Sequence, residues 1–388
     1  MIYVHVPFCR SFCTYCDFYS EVASRCVSDE QKKFGIYADA LCREVRERRD
    51  EFKDDVNTLY IGGGTPSVLP LSVFARLVEA LREVGRDCDF EEFTVEVNPE
   101  DVIEKGEAYV EGLLKLGVNR ISMGVQSFDD GILKWMNRRH DAAAARRAYG
   151  ILENAGVENI SIDLIFGLPQ LSDAGWRGTL SQALDISGKG VLPKHVSAYQ
   201  LSVEPGSALA SLVAKGVWEE AADDLCSRQY DILCSELKAA GYNHYEISNF
   251  AQPGYEAVHN SAYWSHVPYV GLGPGAHSFL KTDISGNPVH MRKWNKQDIA
   301  SYLGAASSGD FSQVVEHEVL TSEQLALEHV MLGLRTSSGL PESFLMEHCD
   351  PSVVSEALSS GNLERCPGGM IRIPESRFFI SDAVISAL

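Results

Sequence analysis

Three cysteines crowded into eight residues form the feature of this sequence most suited to chemistry. Cys9, Cys13 and Cys16 lie in the segment CRSFCTYC and have the spacing CxxxCxxC. Three thiolates from one loop can hold three irons of a [4Fe–4S] cubane and leave the fourth iron without a protein ligand. A zinc ion would want a fourth Cys or His, and neither Asp17 nor the strand residue His5 suits that role. The spacing therefore favours an iron–sulfur cluster over zinc or purely structural thiols.

Five further clusters of glycine, proline and polar residues lie between residues 62 and 206. They are Gly62-Gly63-Gly64-Thr65-Pro66, Glu96 with Asn98-Pro99, Gln126-Ser127-Phe128, Asp163 with Gly167-Leu168-Pro169, and Tyr199-Gln200 with Glu204-Pro205-Gly206. Ordinary turn chemistry explains the glycines and prolines, but not Glu96, Gln126 and Asp163. The glycine run lacks the lysine of a phosphate-binding loop, so it does not predict a nucleoside triphosphate site.

The elements that must position these clusters follow from six short runs rich in β-branched or aromatic residues. The predicted strands are Ile2–Val6, Val56–Ile61, Glu92–Val97, Arg120–Val125, Asn159–Ile165 and His195–Leu201. After the first interval they recur roughly every 36 residues, the length of one strand–helix unit. Helical patterns separate them, at Gln31–Arg48, Leu71–Val84 and Asp173–Ile186. This repetition predicts an α/β fold with a partial (β/α)6 TIM-like parallel barrel, either closed or open.

Each chemical cluster, including the cysteine loop, lies at or just after the end of a predicted strand. In parallel α/β barrels the C-terminal ends of the strands meet on one face and form the functional site. The sequence therefore predicts one shared pocket built from all six strand ends.

The remainder of the chain departs from this regular pattern. A helical pattern from about Ala221 to Ala240 precedes an aromatic- and glycine-rich stretch, Tyr242 to Phe279, and we expect the barrel to end before that stretch. The predicted divisions are a barrel at 1–240, a connecting region at 241–315 and a smaller, mostly helical domain at 316–388. That last domain should contain a helix at Glu323–Leu334 and a short hairpin around Gly361–Ile373.

Charge and hydropathy exclude several classes of function. The chain has 54 acidic and 34 basic residues, a formal net charge of −20, which opposes the attraction to phosphates on which nucleic-acid binders rely. No run of about 18 apolar residues and no secretory signal pattern occurs, so we expect a cytoplasmic protein. The remaining cysteines are scattered, as buried thiols in a reducing compartment usually are: Cys26, Cys42, Cys88, Cys226, Cys234, Cys349 and Cys366.

The cysteine loop after the first strand, with Tyr15 directly before its third cysteine, resembles that of the radical S-adenosylmethionine (SAM) superfamily. The chain is most similar to the branch that contains oxygen-independent coproporphyrinogen III oxidase and the HemW-type heme chaperones. This resemblance runs from Tyr3 to about Ser278 and is weaker beyond. The motifs that carry it are HVPFC, YCDFYS, GGGTPS, GVQSF, DLIFGLP, HNSAYW and GLGPGAHS. Together these motifs are highly specific.

The resemblance implies a role for each matching residue. Cys9, Cys13 and Cys16 would hold the cluster, whose fourth iron would chelate the amine and carboxylate of SAM. The residues matching positions around SAM are Tyr3, Tyr15, Gly63, Gly64, Thr65, Glu96, Gln126, Arg138, Asp163, Gln200 and His277. A carboxylate can pair with the SAM amine or accept from a ribose hydroxyl, and a guanidinium can pair with the SAM carboxylate. For Arg138 the alternative is a surface helix charge beside Arg139.

The segment HNSAYW fits the H-N-x-x-Y-W pattern that the resemblance associates with heme binding. His259 would be an axial ligand, because neutral imidazole binds heme iron, and Tyr263, Trp264 and Tyr269 would supply apolar walls. The alternative is a hydrogen-bonded loop that packs two aromatic residues on the barrel. The motif also occurs in relatives of the oxidase type, so it does not by itself establish heme transfer.

Two departures separate the chain from the oxidases that it resembles. Those enzymes begin with a long N-terminal arm that helps to close the substrate pocket, whereas this chain starts two residues before Tyr3. They also place another cysteine two positions after the third cluster ligand, where this chain has Phe18. Both features match the HemW type, and the first argues against a decarboxylase reaction.

Three functions compete on these grounds. The favoured one is a heme chaperone that carries a [4Fe–4S] cluster and SAM and passes heme to recipient hemoproteins. The alternative is a radical SAM oxidoreductase acting on a porphyrinogen, in which one electron cleaves SAM to methionine and a 5′-deoxyadenosyl radical. The sequence leaves open whether the chain is an enzyme in this sense. RNA modification, a third activity of the superfamily, is disfavoured by the net charge of −20.

Other partners are less well determined by the sequence. No nucleic acid is expected. A chaperone that serves respiratory proteins would touch a membrane transiently, and a homodimer is compatible with the sequence although no pattern in it encodes the oligomeric state.

Overall fold

A single open sheet of nine strands organises the chain. The computed structural model describes residues 1–23, 27–52, 57–284 and 286–388. The strands of this sheet are β1 (Ile2–Val6), β2 (Thr58–Gly63), β3 (Glu92–Val97), β4 (Arg120–Gln126), β5 (Asn159–Phe166), β6 (His195–Gln200), β7 (Asn243–Glu246), β8 (Asn249–Ala251) and β9 (Val270–Leu272). Their order across the sheet is β9-β1-β2-β3-β4-β5-β6-β8-β7.

Strands β1 to β6 confirm the six predicted strands and the α/β class. Each pairs in parallel with the next, so their C-terminal ends lie on one side. They are mostly buried, as expected of a parallel sheet covered by helices. The second strand starts at Thr58, and Val56, where its prediction began, lies outside the described residues.

The sheet continues further than the sequence pattern indicates. Strand β9 pairs in parallel with β1, and β8 pairs antiparallel with β6. Among the described residues no ladder joins β9 to β7, so the barrel is partial and open. These added strands have only three or four residues, too few for a recognisable alternating pattern. The boundaries at residues 240 and 315 stay predictions.

Fourteen helices accompany the strands in the described part of the chain. They are α1 (Val27–Glu47), α2 (Leu71–Glu83), α3 (Pro99–Lys115), α4 (Asp130–Trp135), α5 (Ala142–Asn154), α6 (Asp173–Leu184), α7 (Ala208–Ala214), α8 (Asp223–Ala239), α9 (Val258–Trp264), α10 (Ile299–Ser308), α11 (Ser322–Gly333), α12 (Glu342–His348), α13 (Pro351–Ser359) and α14 (Ser381–Ala387). The predicted helices correspond to α1, α2, α6, α8 and α11. In α2, for example, Phe74, Leu77 and Leu81 recur at helical spacing and are buried against the sheet.

The last third of the chain forms two smaller sheets and a group of helices. Strands β10 (His277–Ile284), β11 (Asn287–Asn295) and β12 (Val315–Leu320) form an antiparallel sheet. Three short strands, β13 (Leu340–Pro341), β14 (Glu364–Cys366) and β15 (Met370–Arg372), lie among helices α11 to α14. Strands β14 and β15 confirm the predicted hairpin, and the region is mostly helical as expected.

Four 3-10 helices and one pair of two-residue strands complete the described elements. The 3-10 helices are Arg49–Glu51, Pro66–Val68, Phe311–Gln313 and Glu375–Ile380, and the short strands are Phe8–Cys9 and Glu21–Val22. None of the helices in the described ranges is long and apolar enough to cross a membrane.

Candidate functional site

A cavity of about 1210 Å³ opens where strands β1 to β6 end. Its lining includes residues from the cysteine loop and from all five of the clusters that follow the later strands. Of the predicted cluster and SAM residues, those that line it are Cys9, Cys13, Cys16, Tyr15, Gly63, Gly64, Thr65, Glu96, Gln126, Arg138, Asp163 and Gln200. The single shared pocket expected from the strand order is therefore present.

The three loop cysteines lie at this cavity as free thiols. Burial raises the pKa of Cys9, and it raises the pKa of Cys16 to about 12. The Thr65 hydroxyl donates to Cys9 Sγ at 3.4 Å. Both thiols are therefore protonated when alone, and an iron that binds them must displace the protons.

The three loop cysteines all border the same cavity. Among the described residues, no group of three or more His, Cys, Asp or Glu side chains is arranged to hold a single metal ion. Three thiolates from one loop that face one cavity match the ligand set of a [4Fe–4S] cluster with one open iron.

The glycine run at the end of β2 forms a wall that admits no side chain. A Cβ on Gly62 would lie 2.8 Å from Glu96 Oε1, and a Cβ on Gly63 would lie 2.6 Å from His5 Nδ1. Gly63 also has a φ of +106°, which residues with a side chain rarely adopt. A Cβ on Gly64 would lie 2.7 Å from the Phe8 carbonyl oxygen. Only glycine leaves the backbone of this segment open to a ligand.

Glu96 lies near the end of β3, and its carboxyl group is held in a fixed position. Its Oε1 accepts from the Tyr60 hydroxyl at 2.7 Å, and its Oε2 accepts from the Gly63 N–H at 3.2 Å. Burial raises the pKa of Glu96 to about 7, and the nearby Asp163 contributes to the rise. A positively charged group or an N–H donor in the cavity would favour the ionised carboxylate, so the site suits an amine ligand.

Asp163 and Arg120 place opposite charges inside the cavity wall. Ser122 Oγ donates to both carboxylate oxygens of Asp163, at 3.0 and 3.1 Å. Burial raises the pKa of Asp163. Arg120 is 1% exposed, and although burial disfavours its charge, Glu92 holds the pKa of Arg120 above its ordinary value. Arg120 and Ser122 were not singled out from the sequence; an arginine at the start of a strand predicted to be buried was the available signal.

Arg138 points into the cavity rather than to solvent. Its Nη1 donates to Cys13 Sγ at 3.5 Å, and its Nη2 donates to Asn98 Oδ1 at 2.7 Å and to the Gly124 carbonyl at 2.8 Å. The alternative of a surface helix charge is therefore wrong for this residue. Its buried Nε has no hydrogen-bond partner among the described residues, which leaves a donor available to an anionic ligand.

Gln126 occupies a strained backbone position at the end of β4. Its φ is +67°, and the pairing between β4 and β5 shifts register between Gly124 and Gln126. A Cβ on Gly124 would lie 2.9 Å from Gln126 Nε2, so a side chain there would displace the Gln126 amide. Bulges of this kind occur next to functional sites, where they turn a side chain toward a ligand.

Tyr3 and His277, both matched to SAM contacts by resemblance, do not line the cavity. The Tyr3 hydroxyl contacts His5 Nδ1 at 3.0 Å, and the cavity residue Tyr60 packs beside its ring. His277 begins β10 and stacks on Trp294, with ring centroids 5.9 Å apart. For these two residues, contact with SAM stays a prediction.

His259 is fully buried in α9 and also lies away from the cavity lining. Its Nδ1 contacts Thr58 Oγ1 at 2.8 Å and its Nε2 contacts the Tyr263 hydroxyl at 3.0 Å. Burial lowers the pKa of His259 to about 3, so the ring is neutral. To bind an iron, the ring would have to give up one of these hydrogen bonds. This geometry is that of the alternative, a hydrogen-bonded motif that packs aromatic residues on the sheet.

The comparisons with known proteins agree with the geometry of the cavity. A family model described as the radical SAM superfamily matches residues 3–183. The chain is 33% identical to the protein named heme chaperone HemW of Bacillus subtilis, over 89% of this chain and 86% of that protein. It is 34% identical to the Escherichia coli heme chaperone HemW, over 71% of this chain and 69% of that protein.

A solved structure shows the same fold. The coproporphyrinogen III oxidase HemN of Escherichia coli has a TM-score of 0.79 and 20% sequence identity to this chain, covering 100% of this chain and 89% of its own. Membership of the radical SAM superfamily implies a [4Fe–4S] cluster and SAM as cofactors. On the identity and coverage of its relatives, the chain belongs to the HemW heme chaperone family of radical SAM proteins.

Proposed function

We propose that this chain binds heme and passes it to recipient hemoproteins, while carrying a [4Fe–4S] cluster and SAM. The observation that carries the proposal is the identity of about a third with relatives named heme chaperones, over most of the length of both chains. The aromatic residues of the HNSAYW motif support it. Tyr263 and Trp264 line a second cavity beside the first, where a flat apolar ligand would find walls.

Different side chains of the first cavity would hold the two cofactors. Cys9, Cys13 and Cys16 would hold the cluster, and Arg138 beside Cys13 would stabilise negative charge there. Glu96 would pair with the SAM amine, and the glycine backbone would border the methionine portion. A reduced cluster held there would be able to supply an electron to the sulfonium of SAM. The residues around it hold SAM in place and keep its charged groups paired.

The position of Phe18 argues against a catalytic role on coproporphyrinogen. The oxidase relatives resembled by the sequence carry a cysteine there, whereas Phe18 is an apolar side chain that is 65% exposed and lines the first cavity. A phenyl ring can neither ligate a metal nor exchange a proton. At this position the loop therefore has an apolar surface, whereas the oxidases have a thiol.

The competing proposal is radical chemistry on a porphyrinogen. It is favoured by the completeness of the first cavity, where the predicted cysteines, Glu96, Gln126 and Asp163 all lie. The same residues would hold SAM in either proposal. The two proposals differ in whether a substrate is consumed.

An anaerobic assay separates the two proposals. Cluster-loaded protein is first given hemin and then mixed with an apo-form of a respiratory hemoprotein, and heme is followed by absorbance. The recipient should take up heme from the loaded protein faster than it takes up free hemin at the same concentration. In parallel, the protein with SAM, reductant and coproporphyrinogen III should form no protoporphyrinogen. Turnover to protoporphyrinogen, or heme transfer no faster than from free hemin, would overturn the proposal.

The proposal includes the cellular location, membrane contact and oligomeric state of the chaperone. Reduced thiols and a bound cluster suit the cytoplasm. Contact with a membrane would be transient, at the site of a membrane-bound recipient, and a homodimer remains a prediction from the sequence.

A further inference from the structure

A second cavity of about 550 Å³ lies beside the first. It is bounded by the end of α9, strands β7 and β10, and helix α11. Tyr199 and Asn260 line both cavities, so the two spaces adjoin. Its aromatic lining includes Tyr263, Trp264, Tyr269 and Phe279. The volume and the aromatic walls are those of a small-molecule site.

His266 lies in this cavity at a backbone position that glycine normally takes. Helix α9 ends at Trp264, and the His266 and Val267 N–H groups donate to the Tyr263 and Ala262 carbonyls, both at 3.0 Å. This is a Schellman ending, whose residue after the cap adopts positive φ, and His266 has a φ of +56°. Glycine would adopt this conformation without strain, so the end of the helix gains nothing from the imidazole.

The His266 ring is held in one orientation by its neighbours. Its Nε2 contacts Glu328 Oε2 at 3.1 Å, and its face stacks on Phe279 with centroids 4.4 Å apart. Glu328 also accepts from Arg292 Nη2 at 2.8 Å. Among the described residues, nothing forms a hydrogen bond with His266 Nδ1. A carboxylate on one ring nitrogen, with the other nitrogen free, is the arrangement typical of a metal-binding histidine.

Two buried polar atoms on the wall of this cavity also lack partners. Glu246 Oε1 and Asn249 Oδ1 form no hydrogen bond among the described residues, and the two residues are 0% and 4% exposed. Unpaired polar atoms are costly in a protein interior and require an explanation. A ligand that fills the cavity provides one.

We propose that heme occupies this second cavity and that His266 is its axial ligand, an inference that rests on the proposed heme chaperone function. The aromatic side chains contact the faces and edge of the porphyrin. Arg292 and Arg335, which also line the cavity, carry the positive charge that the heme carboxylates need. Arg292 already pairs with Glu318 and Glu328. Arg335 pairs with Asp382. When heme binds, these arginines are shared between the acids and the heme carboxylates.

His259 then acts through Tyr263 rather than through iron. Its hydrogen bond fixes the Tyr263 hydroxyl, and Tyr263 lines the second cavity. His266 is the ligand because it lines the cavity itself. Burial lowers the pKa of His266, which keeps the imidazole neutral and able to bind a metal at neutral pH.

The test uses two porphyrins, hemin and metal-free protoporphyrin IX, each titrated anaerobically into cluster-loaded protein. Protoporphyrin IX fills the same space but takes no axial ligand. In His266→Asn the ligand is removed, and asparagine tolerates the positive φ. The matched control is His290→Asn, which removes a histidine that stacks on Phe279 but does not line the cavity.

We expect His266→Asn to shift the Soret band and to weaken hemin binding about tenfold or more, with protoporphyrin IX binding changed by less than about threefold. His290→Asn should leave both titrations unchanged. A hemin spectrum and affinity equal to those of the wild type in His266→Asn would overturn the assignment of the ligand while leaving the proposed function intact. A wild type that binds no hemin saturably would overturn both.

A second variant tests the cavity independently of the histidine. Met331 lines it from α11, and Met331→Trp would fill part of the space. Binding of both porphyrins should then weaken about tenfold or more while the far-ultraviolet circular dichroism of the protein is retained. Unchanged binding of both porphyrins to this variant would place the heme elsewhere. Because Met331→Trp does not depend on the folding of His266→Asn, the proposal stays falsifiable if that variant is unstable.

Discussion

The two adjoining cavities are built in different ways. The first is lined by the ends of consecutive parallel strands, and its side chains are fixed by backbone position, as Gly63 and Gln126 show. The second is lined mainly by residues that follow residue 245 and belong to a helix end, a hairpin and α11. Each contains a buried carboxyl group whose pKa burial raises to about 7, Glu96 in the first and Glu246 in the second.

The difference lies in how those two carboxyl groups are satisfied. Both oxygens of Glu96 accept hydrogen bonds, so this group is already positioned for a cation. One oxygen of Glu246 has no partner among the described residues. The first cavity is therefore preorganised for fixed cofactors. The second contains polar atoms whose hydrogen bonds would be completed by a ligand.

The largest expected effect comes from removing a cluster ligand. Cys13→Ser should abolish the cluster, because a serine hydroxyl does not replace a thiolate at iron. Iron content and the absorbance of the reconstituted protein near 400 nm should fall to background. Cys234→Ser, which alters a cysteine outside both cavities, should keep the full cluster.

The same variant separates the two cavities. If they are independent, protoporphyrin IX should bind to Cys13→Ser with an affinity within about threefold of that of the wild type. Loss of porphyrin binding together with the cluster would mean that heme and cluster share one site.

The next effect concerns the glycine wall of the first cavity. Gly63→Ala should destabilise the protein by at least about 2 kcal/mol and abolish SAM binding, because φ is positive and the new Cβ meets the His5 ring. Urea unfolding and equilibrium dialysis with labelled SAM measure the two effects.

Gly85→Ala is the matched control for that variant. Gly85 has a φ of +82°, but a Cβ there would meet nothing within 4 Å. It should lose stability from backbone strain alone, about 1–2 kcal/mol, and keep its SAM affinity. If both variants lost SAM binding equally, the close packing of the glycine wall would not be the cause.

Glu96 should give a smaller and pH-dependent effect. Glu96→Gln should weaken SAM binding roughly tenfold to hundredfold, the range for losing one hydrogen bond to a charged group. Since the pKa of Glu96 is about 7, SAM affinity in the wild type should fall as pH drops below 7, where the carboxyl group is protonated.

Calorimetry checks that assignment. Binding of SAM near pH 6.5 to the wild type should release protons, which titrations in buffers of different ionisation enthalpy detect. Glu96→Gln should remove most of this release. Equal proton release by both proteins would assign the coupling to another group.

Much of this account could be predicted from sequence because it depends on regular backbone. The six parallel strands recur at even spacing, and once they are parallel their ends must meet, which brings Cys9, Glu96 and Asp163 together before any coordinates are known. The loop cysteines and the glycine run could be recognised from their local spacing alone.

What the sequence could not predict depends on side-chain direction. Strand alternation does not reveal that Tyr60 lines the cavity while Tyr3 and His259 pack beside it. Nor does the motif show that both nitrogens of its one histidine, His259, are already hydrogen-bonded. His266, two residues beyond the HNSAYW motif, reaches the second cavity only because α9 ends in a tight left-handed turn.

The remaining prediction concerns stability alone, without loss of a ligand, and involves Glu246. Its pKa is about 7 in the folded chain and 4.5 ordinarily, so the folded state holds its proton more tightly and stability should fall as pH rises from about 4.5 to 7. Glu246→Gln, which resembles the protonated acid, should remove this slope and be more stable than the wild type at pH 8 by up to about 3 kcal/mol. Urea unfolding of the cluster-free proteins at pH 5.5 and pH 8 measures it. Parallel pH dependence in the two proteins would contradict the assigned pKa.

A hemin titration of protein that already holds both its cluster and labelled SAM tests whether heme and SAM bind in separate cavities. The account predicts a saturable Soret band at one heme per chain while the cluster absorbance and the bound SAM are retained, because heme and SAM occupy adjoining but separate cavities. Displacement of SAM by hemin, or absence of a saturable band, would contradict it.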